Sequence, residues 1–149
     1  MKYIKKIIQF FKDSVTTGCT PDRLTLSFCI GVYVAFSPFP GAHWLLMIAF
    51  KYLFDLHWPT LFFATSLNNP WTMIPFYSCD YAFGYWLVHS VLQWTPGWEI
   101  SLAKLFGSGT ICVVSFLIGG NALGLVSALV SWPLISRMFT RMATHHKPS

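Results

Sequence analysis

The chain has 149 residues, a length that predicts one domain, with 54% hydrophobic residues, only 10% charged residues and a mean hydropathy of +0.54. A soluble domain averages about 25% charged residues, so this composition excludes an ordinary water-facing surface and predicts an integral membrane protein. The net charge of +5 does not indicate a nucleic-acid partner, because most of the cations gather near the two chain ends and flank apolar segments. That placement follows the positive-inside rule and predicts two cytoplasmic termini, which requires an even number of full crossings.

Residues 1–20 form the first predicted unit, an amphipathic helix with apolar residues at helical spacing and lysines on the other face. Such a helix suits the membrane interface, with its lysines among anionic headgroups. Packing of the same helix against the cytoplasmic side of its own domain is the alternative, and the pattern does not separate the two.

The first long apolar run predicts a helix that starts at Thr20-Pro21 and then breaks. Thr20 suits the N-cap and Pro21 suits the first helical turn. The run ends at Phe36, well short of the about 20 residues that a crossing needs. Residues 37–41 contain two prolines and a glycine that end the helix, and a second apolar run, 42–50, follows at once.

Lys51 and Asp55 lie four residues apart where that second run reaches the interface, and we expect them to pair. The same layout then recurs: a short apolar run is broken at residues 68–70, and residues 71–92 continue. Irregular backbone at membrane depth is tolerated only where protein buries it or where it lines a wet cavity. Two breaks that face each other would meet that requirement together.

The last apolar stretch, residues 100–135, is about twice as long as one crossing needs. Either it is one long tilted helix or it bends near Gly119-Gly120-Asn121, and we expect the bend. Gly120, Gly124 and Ala128 recur every four residues, a small-residue face that lets helices approach closely. Packing within the chain and homodimerisation both use such a face.

Catalytic patterns are not found in the sequence. Of the five acidic residues, only Asp80 lies well within an apolar segment, so paired carboxylates for acid–base or two-metal chemistry are not predicted. Glycine-rich phosphate loops and metal-binding histidine motifs are also absent from the sequence. We therefore expect no catalytic residues, no metal and no cofactor, and we do not predict an enzyme.

Binding is the better-supported prediction. A helix that starts after each break directs free backbone amides into the membrane interior, as in transporters whose discontinuous helices hold anionic groups. Neutral donors and one imidazole surround the breaks, with Asn68 beside them. The alternative is that the polar residues satisfy only the backbone that the break frees. The predicted ligand-binding residues are Ser37, His43, Asn69, Thr72 and Tyr77.

Asp80 is a separate candidate. An ionisable group inside a membrane segment is costly and often functional, so Asp80 is predicted to be a possible proton site. The alternative is a carboxylate solvated near headgroup level.

At the second break the residues resemble those of an uncharacterised bacterial membrane family, DUF2062, a domain of unknown function. The most specific part is the N-P-x-T-x-x-P-x-Y stretch from Asn69 to Tyr77, and the resemblance covers roughly residues 15 to 135. The family often has Asn where this chain has His57. The resemblance implies a small inner-membrane protein that is sometimes fused to, or encoded near, glycosyltransferases that use lipid-linked sugars. The other residues that carry it are Pro21, Gly31, Ser37-Pro38, Gly41, His43, Thr65, Tyr81 and Gly84.

Together these features predict an all-α polytopic membrane protein with two broken or re-entrant helices and Gly-rich C-terminal transmembrane helices. The membrane domain is predicted to span residues 21–136, followed by a polar cytoplasmic tail, 137–149, in the bacterial inner membrane. The leading hypothesis is that the chain binds or translocates an anionic lipid, a polyprenyl-phosphate carrier or a phospholipid. The alternative is a non-transporting scaffold, a homo-oligomer or an assembly partner for envelope glycosyltransferases, with Gly120, Gly124 and Ala128 as its partner surface. A membrane enzyme that acts on a lipid headgroup is the third possibility.

Overall fold

The computed structural model of the chain describes residues 6, 9, 19–37, 42–69, 71–94, 96–101 and 110–144. This part of the chain is mostly helical, as predicted. Its helices are α1 (Pro21–Ala35), α2 (His43–Phe54), α3 (Trp58–Thr65), α4 (Met73–Trp86), which continues into a π-helical turn (Leu87–Val91), and α5 (Val113–Thr144). Two short strands, β1 (Glu99–Ser101) and β2 (Thr110–Cys112), pair in antiparallel register before α5.

Helix α1 begins where the sequence predicts. The Thr20 hydroxyl accepts a hydrogen bond from the Arg23 backbone amide at 3.4 Å, and Pro21 occupies the first turn. At mid-helix Gly31 allows α3 to approach closely, because an added Cβ would lie 2.6 Å from the Ala64 Cβ and 2.7 Å from the Leu61 carbonyl oxygen. Local capping therefore sets the start of α1, and a missing side chain sets its packing against α3.

The first break reverses the chain, so that α2 runs back alongside α1. The Arg23 guanidinium at the start of α1 forms an ion pair with Asp55, the residue that caps the end of α2 in left-handed backbone with a φ of 46°. The predicted pairing of Lys51 with Asp55 is confirmed, with an Nζ–Oδ1 distance of 3.1 Å. Asp55 therefore connects the start of α1 to the end of α2.

Helix α3 then runs parallel to α1. At one end the His57 amide donates a hydrogen bond to the Ser27 hydroxyl at 2.7 Å, and at the other the Asn68 side-chain amide donates to the Ala35 carbonyl at 2.6 Å. The second hydrogen bond satisfies a carbonyl at the C-terminal end of α1 that has no partner within the helix. Within residues 21–68 the chain therefore runs along α1, returns along α2 and runs again in the direction of α1 along α3.

Helix α5 packs against both halves of the fold. Its contact with α1 extends from Asn121, whose Oδ1 accepts a hydrogen bond from the Tyr33 hydroxyl at 2.6 Å, to Phe139, which is fully buried in one cluster with Leu24. Its N-terminal half crosses α4 at Gly84 and Gly119, where the two backbones touch. Helices α1 and α4 therefore pack against successive segments of α5. Helices α3 and α4 run in the same direction, α3 before the second break and α4 after it.

Three sequence-based expectations need correction. Helix α5 continues without a break through Gly119-Gly120-Asn121, so these residues do not divide the predicted C-terminal stretch into two helices; close packing on the glycine faces compensates for the poor helix propensity of glycine. Residues 100–101 and 110–112 of the predicted C-terminal stretch are strand rather than helix, and the β1–β2 pair was not predicted. Helix α5 also extends to Thr144, so the first residues of the predicted tail are helical. The predicted N-terminal helix lies outside the described residues, apart from Lys6 and Gln9, which have helical backbone and are exposed.

Helix α5 is long and apolar enough to cross a membrane, by length and composition, and no other helix in the described ranges meets that test. Its most apolar window has a mean hydropathy of 2.0, and only 22% of that window is buried within the chain. Large apolar side chains on its outer face, among them Leu125, Leu129 and Leu134, are exposed. Burial inside the chain therefore does not account for the apolar character of α5.

Candidate functional site

A cavity of about 310 Å³ lies where the two broken segments meet. His43 and Trp44 line it from the start of α2, and Asn68 and Asn69 line it from the loop after α3. The remaining walls come from α2 and α3 and combine apolar with small polar side chains: Met47, Phe62, Thr65 and Ser66. The cavity brings together His43 and Asn69, one predicted residue from each break.

Most polar side chains of this cavity already hydrogen-bond to backbone. The Thr65 hydroxyl donates to the Leu61 carbonyl at 2.9 Å, and the Ser66 hydroxyl donates to the Phe62 carbonyl at 2.7 Å. The Asn68 amide is engaged at Ala35. These groups support the frame of the cavity rather than offering free donors to a ligand.

Asn69 and Thr72 hold the second break together by reciprocal hydrogen bonds. Asn69 Oδ1 accepts from the backbone amides of Trp71 at 3.0 Å and Thr72 at 3.1 Å. The Thr72 hydroxyl accepts from the Asn69 amide at 2.9 Å and donates to the Leu67 carbonyl at 2.7 Å. The turn that leads into α4 is therefore closed by its own side chains, which agrees with the structural alternative for these two residues.

The start of α2 is different. The residue before it, Ala42, provides no side-chain cap, and the buried Nε2 of His43 has no hydrogen-bond partner in the described part of the chain. The first amides of a helix have no acceptor within the helix and carry its positive dipole end. Within the described residues, the open donors at the cavity are therefore the first amides of α2, and the buried His43 Nε2 beside them donates only in the tautomer that carries its proton there.

Ser37 and Tyr77 lie beside the cavity and do not line it. Ser37 is buried just beyond α1, where its amide donates to the Val34 carbonyl at 3.0 Å, and the His43 ring lies near its backbone. Tyr77 packs edge-on against Phe116 with ring centroids 5.3 Å apart. Its buried hydroxyl has no hydrogen-bond partner with suitable geometry in the described ranges. Ser37, Thr72 and Tyr77 thus surround the pair formed by His43 and Asn69.

Asp80 is fully buried at the contact between α4 and α5. Neither of its carboxylate oxygens has a hydrogen-bond partner among the described residues, and the buried Ser115 hydroxyl of α5 also has none. The alternative of a carboxylate solvated near headgroup level does not agree with this burial.

The predicted small-residue face lies partly inside the fold. Gly124 faces Tyr33 and Phe36 of α1, and an added Cβ would lie 3.1 Å from atoms of both residues. Gly120 is buried and Ala128 is half-buried. The tighter contact, between Gly84 and Gly119, was not predicted, although Gly119 lies four residues after Ser115 and repeats the small-residue spacing.

The start of α1 and the end of α2 form a basic end of the molecule. Hydrogen bonding from Lys51, followed by the charge of Arg23, holds the pKa of the Asp55 carboxyl below its ordinary value. Burial, followed by the same two cations, lowers the pKa of His57, whose Nδ1 lies 2.9 Å from the Thr60 hydroxyl. Arg137 and Arg141 flank Phe139, so the C-terminal part of α5 adds its cations at the same end.

Sequence reasoning missed the apolar part of the cavity. Trp44 and Phe62 lie on different helices but contact each other, with ring centroids 5.7 Å apart. The sequence did indicate Trp44 and Thr65, because Trp44 directly follows His43 and Thr65 is one of the residues that carry the family resemblance. Nothing in the sequence indicated Phe62, because it is the chain reversal at the first break that brings its ring to Trp44.

The sequence pattern of DUF2062, described as an uncharacterized protein family conserved in bacteria, matches residues 5–147. Neither the curated proteins nor the solved structures contain a match to the chain. The match covers both breaks, the cavity and all of α5, and the chain therefore belongs to the DUF2062 family.

Proposed function

We propose that the chain is an integral protein of the bacterial inner membrane that binds an anionic lipid headgroup in the cavity between its two breaks. The observation that carries this proposal is the pairing, in one cavity, of an uncapped helix start at His43 with the loop at Asn69. Translocation of the lipid is the fuller form of the same proposal.

The arrangement along α5 supports a location near mid-membrane. Residues 113–136 contain no ionisable side chain and extend about 36 Å at about 1.5 Å per residue, enough to cross a hydrocarbon core of about 30 Å. Gly124, near the middle of this segment, lies against Phe36 at the end of α1. The first break therefore falls near the midplane if α5 crosses the bilayer.

The same arrangement supports a topology. Helices α1 and α2 form a re-entrant hairpin that enters and leaves at the basic end. Helices α3 and α4 together form one broken crossing, and α5 returns. Two full crossings place both termini on one side, and Arg23, Lys51, Arg137 and Arg141 make that side cytoplasmic by the positive-inside rule. Trp86, Trp94 and Trp98, all exposed, form the aromatic belt of the opposite interface.

The chemistry of the cavity favours an anion. Among the described residues no carboxylate lines it, its open donors are the first backbone amides of α2, and the helix dipole adds positive potential there. A volume of about 310 Å³ lies at the lower end of the range for small-ligand sites. It suits a phosphate or pyrophosphate group with the first carbons of its chain, and the exposed rings of Trp44 and Phe62 provide apolar contact for those carbons.

Native mass spectrometry of the protein released gently from bacterial membranes tests the proposal. We expect one anionic lipid to be enriched far above its membrane abundance. His43→Ala removes the imidazole at the start of α2 and is expected to weaken retention about tenfold, since a hydrogen bond from that ring to a charged group contributes about 1.5 kcal/mol or more.

Asn69 needs a matched pair of variants, because it also caps the second break. Asn69→Ala removes the acceptor at Trp71 and Thr72, whereas Asn69→Asp retains a cap acceptor and adds a negative charge to the cavity. We expect Asn69→Asp to fold and to lose the anionic lipid. Ser66→Ala, which alters a wall hydroxyl engaged with Phe62, is the control and should retain it. Full retention in His43→Ala and Asn69→Asp would remove this cavity as the site.

The topology is tested by labelling single cysteines in an otherwise cysteine-free chain with a membrane-impermeant maleimide. Trp98→Cys is expected to react in intact spheroplasts, and Asp55→Cys only after permeabilisation. Reaction of both from the same side would contradict a broken crossing through α3 and α4.

The scaffold alternative uses a face that is partly engaged inside the chain. Gly124 already contacts α1, so Gly124→Leu would disturb the fold as well as any partner. A scaffold for envelope glycosyltransferases, or a homo-oligomer, would instead use the exposed apolar face of α5. Mass spectra that show only bulk lipids, in amounts that the cavity variants do not change, would favour that alternative.

A further inference from the structure

The crossing of α4 and α5 buries a carboxylate that has no partner. Asp80 is 0% exposed, and the contact of Gly84 with Ser115 and Gly119 brings the two backbones together one turn away. Both ion pairs in the described part of the chain are formed by Asp55 and neither by Asp80. An ionised carboxylate without water, cation or hydrogen bond is so costly that the group takes up a proton instead.

The surroundings offer Asp80 no compensating charge. The facing segment of α5, residues 113–136, contains no ionisable side chain. On α4 the titratable neighbours are Tyr77 and Tyr81, α1 contributes Tyr33, whose hydroxyl is engaged with Asn121, and the π-helical turn contributes His89, whose ring stacks on Tyr85. Apart from Asp80 itself, α4, the π-helical turn and residues 113–136 contain no Asp, Glu, Lys or Arg, and Cys79, next to Asp80 on α4, is exposed.

Tyr77 connects this buried group to the cavity. Asn68 and Asp80 are both close enough to its hydroxyl to act on it electrostatically, and Asn68 lines the cavity. The hydroxyl itself is buried and has no hydrogen-bond partner in the described ranges. A hydroxyl in this position can accept a proton from one side and donate one to the other.

We propose that Asp80 is a proton-binding site that is protonated in the resting protein and exchanges its proton with the cavity through the Tyr77 hydroxyl. Because Asp80 and the Tyr77 hydroxyl are not hydrogen-bonded to each other, the transfer uses a water between them: the Asp80 O–H bond breaks as its proton moves to that water, which passes one of its own protons to the Tyr77 oxygen. The Tyr77 proton passes at the same time to a water or phosphate oxygen in the cavity, so Tyr77 ends unchanged and Asp80 becomes a carboxylate.

The proton site and the anion site are expected to be coupled. A negative headgroup in the cavity disfavours ionisation of Asp80, and an ionised Asp80 disfavours the headgroup; the two effects are equal in free energy. Headgroup affinity is therefore higher when Asp80 is protonated and falls by about fivefold or more when it ionises. This coupling rests on the proposed function, whereas the protonation of Asp80 does not.

Infrared difference spectroscopy of the protein in nanodiscs tests the proton site directly. At neutral pH we expect the C=O band of a protonated carboxylic acid in the wild type and in Asp55→Asn, and its loss in Asp80→Asn, which keeps the shape of the side chain. Tyr77→Phe keeps the ring contact with Phe116 and should retain the band with slower hydrogen–deuterium exchange. Absence of the band in the wild type, or its persistence in Asp80→Asn, would overturn the proposal.

Lipid binding measured against pH tests the coupling. The wild type should lose anionic lipid as pH rises, and Asp80→Asn should bind with the affinity of the protonated wild type at every pH. An unchanged pH dependence in Asp80→Asn would overturn the coupling. If no variant binds a lipid in the cavity while the band still depends on Asp80, the proposed function fails and the proton site stands.

Discussion

The contact between α4 and α5 makes a quantitative prediction, because each helix meets the other through a glycine. A Cβ added at Gly119 would overlap the Asp80 carbonyl oxygen and lie 2.8 Å from the Gly84 amide nitrogen. Both atoms belong to backbone, so no side-chain rotation can relieve the overlap, and the helices must separate. We expect Gly119→Ala to separate α4 from α5.

The magnitude follows from two opposing effects. Overpacking costs about 1–3 kcal/mol, and the backbone contacts at Gly119 place this site at the upper limit. Replacement of Gly by Ala in a helix contributes about 1 kcal/mol in the other direction. The net expectation is a loss of about 2 kcal/mol in the free energy of unfolding, and the same for Gly84→Ala. Because both variants affect one crossing, their double variant should lose less than the sum of the two.

Two other glycines provide controls. At Gly124 the nearest atoms are 3.1 Å from an added Cβ and include the Tyr33 ring, which can move by a few tenths of an ångström. Gly124→Ala should therefore change stability by about 0–1 kcal/mol. Gly97 has no atom within 4 Å of an added Cβ, so Gly97→Ala should be neutral. Denaturant unfolding in mild detergent measures all four variants. Wild-type stability for Gly119→Ala, or a larger loss for Gly124→Ala, would refute the geometry of the crossing.

Three further predictions concern capping and pH. Thr72→Val removes the hydroxyl that holds Asn69 and should cost about 1 kcal/mol in thermal unfolding, whereas Thr72→Ser should cost little. The pKa of Asp55 lies below its ordinary value because of the Lys51 hydrogen bond and a nearby guanidinium. The stabilising contribution of this carboxylate is present above about pH 4 and is lost as pH falls through the folded-state pKa. The free energies of unfolding of wild type and Asp55→Asn should therefore converge in acid. Burial lowers the pKa of His57, so the contribution of its neutral imidazole to stability is present above about pH 6.5 and is lost as pH falls. A titration by nuclear magnetic resonance that gives a raised pKa for His57 would contradict this.

Features set within a few residues of sequence were predictable. The start of α1 at Thr20 and Pro21, and the pairing of Lys51 with Asp55, depend on groups three or four positions apart. The position of the second break was equally readable, because a proline and an asparagine pair end a helix wherever they occur. Each of these predictions required no knowledge of which helices touch.

Features set by contact between distant segments were not predictable. The pair of Arg23 with Asp55 joins residues far apart in sequence and forms because α2 runs back alongside α1. Two adjacent glycines indicated a bend in α5, but Gly119 packs against α4 and remains inside an uninterrupted helix. The same reversal brings Phe62 to Trp44 and creates the apolar wall of the cavity. One tertiary event thus accounts for several of the missed features.

The two breaks look alike in sequence but have different consequences for chemistry. At the second break, the side chains of Asn69 and Thr72 bond the backbone amides of the turn that leads into α4, and the Met73 amide donates to the Asn69 carbonyl, so that helix start has little left to offer a ligand. At the first break, α2 begins at His43 without a side-chain cap from the described residues, and uncapped amides in apolar surroundings are costly. A bound anion would remove that cost, because it accepts the hydrogen bonds that the chain does not supply. Contacts to the headgroup are therefore expected to concentrate on the start of α2, with the second break acting as the rigid wall that holds the cavity open.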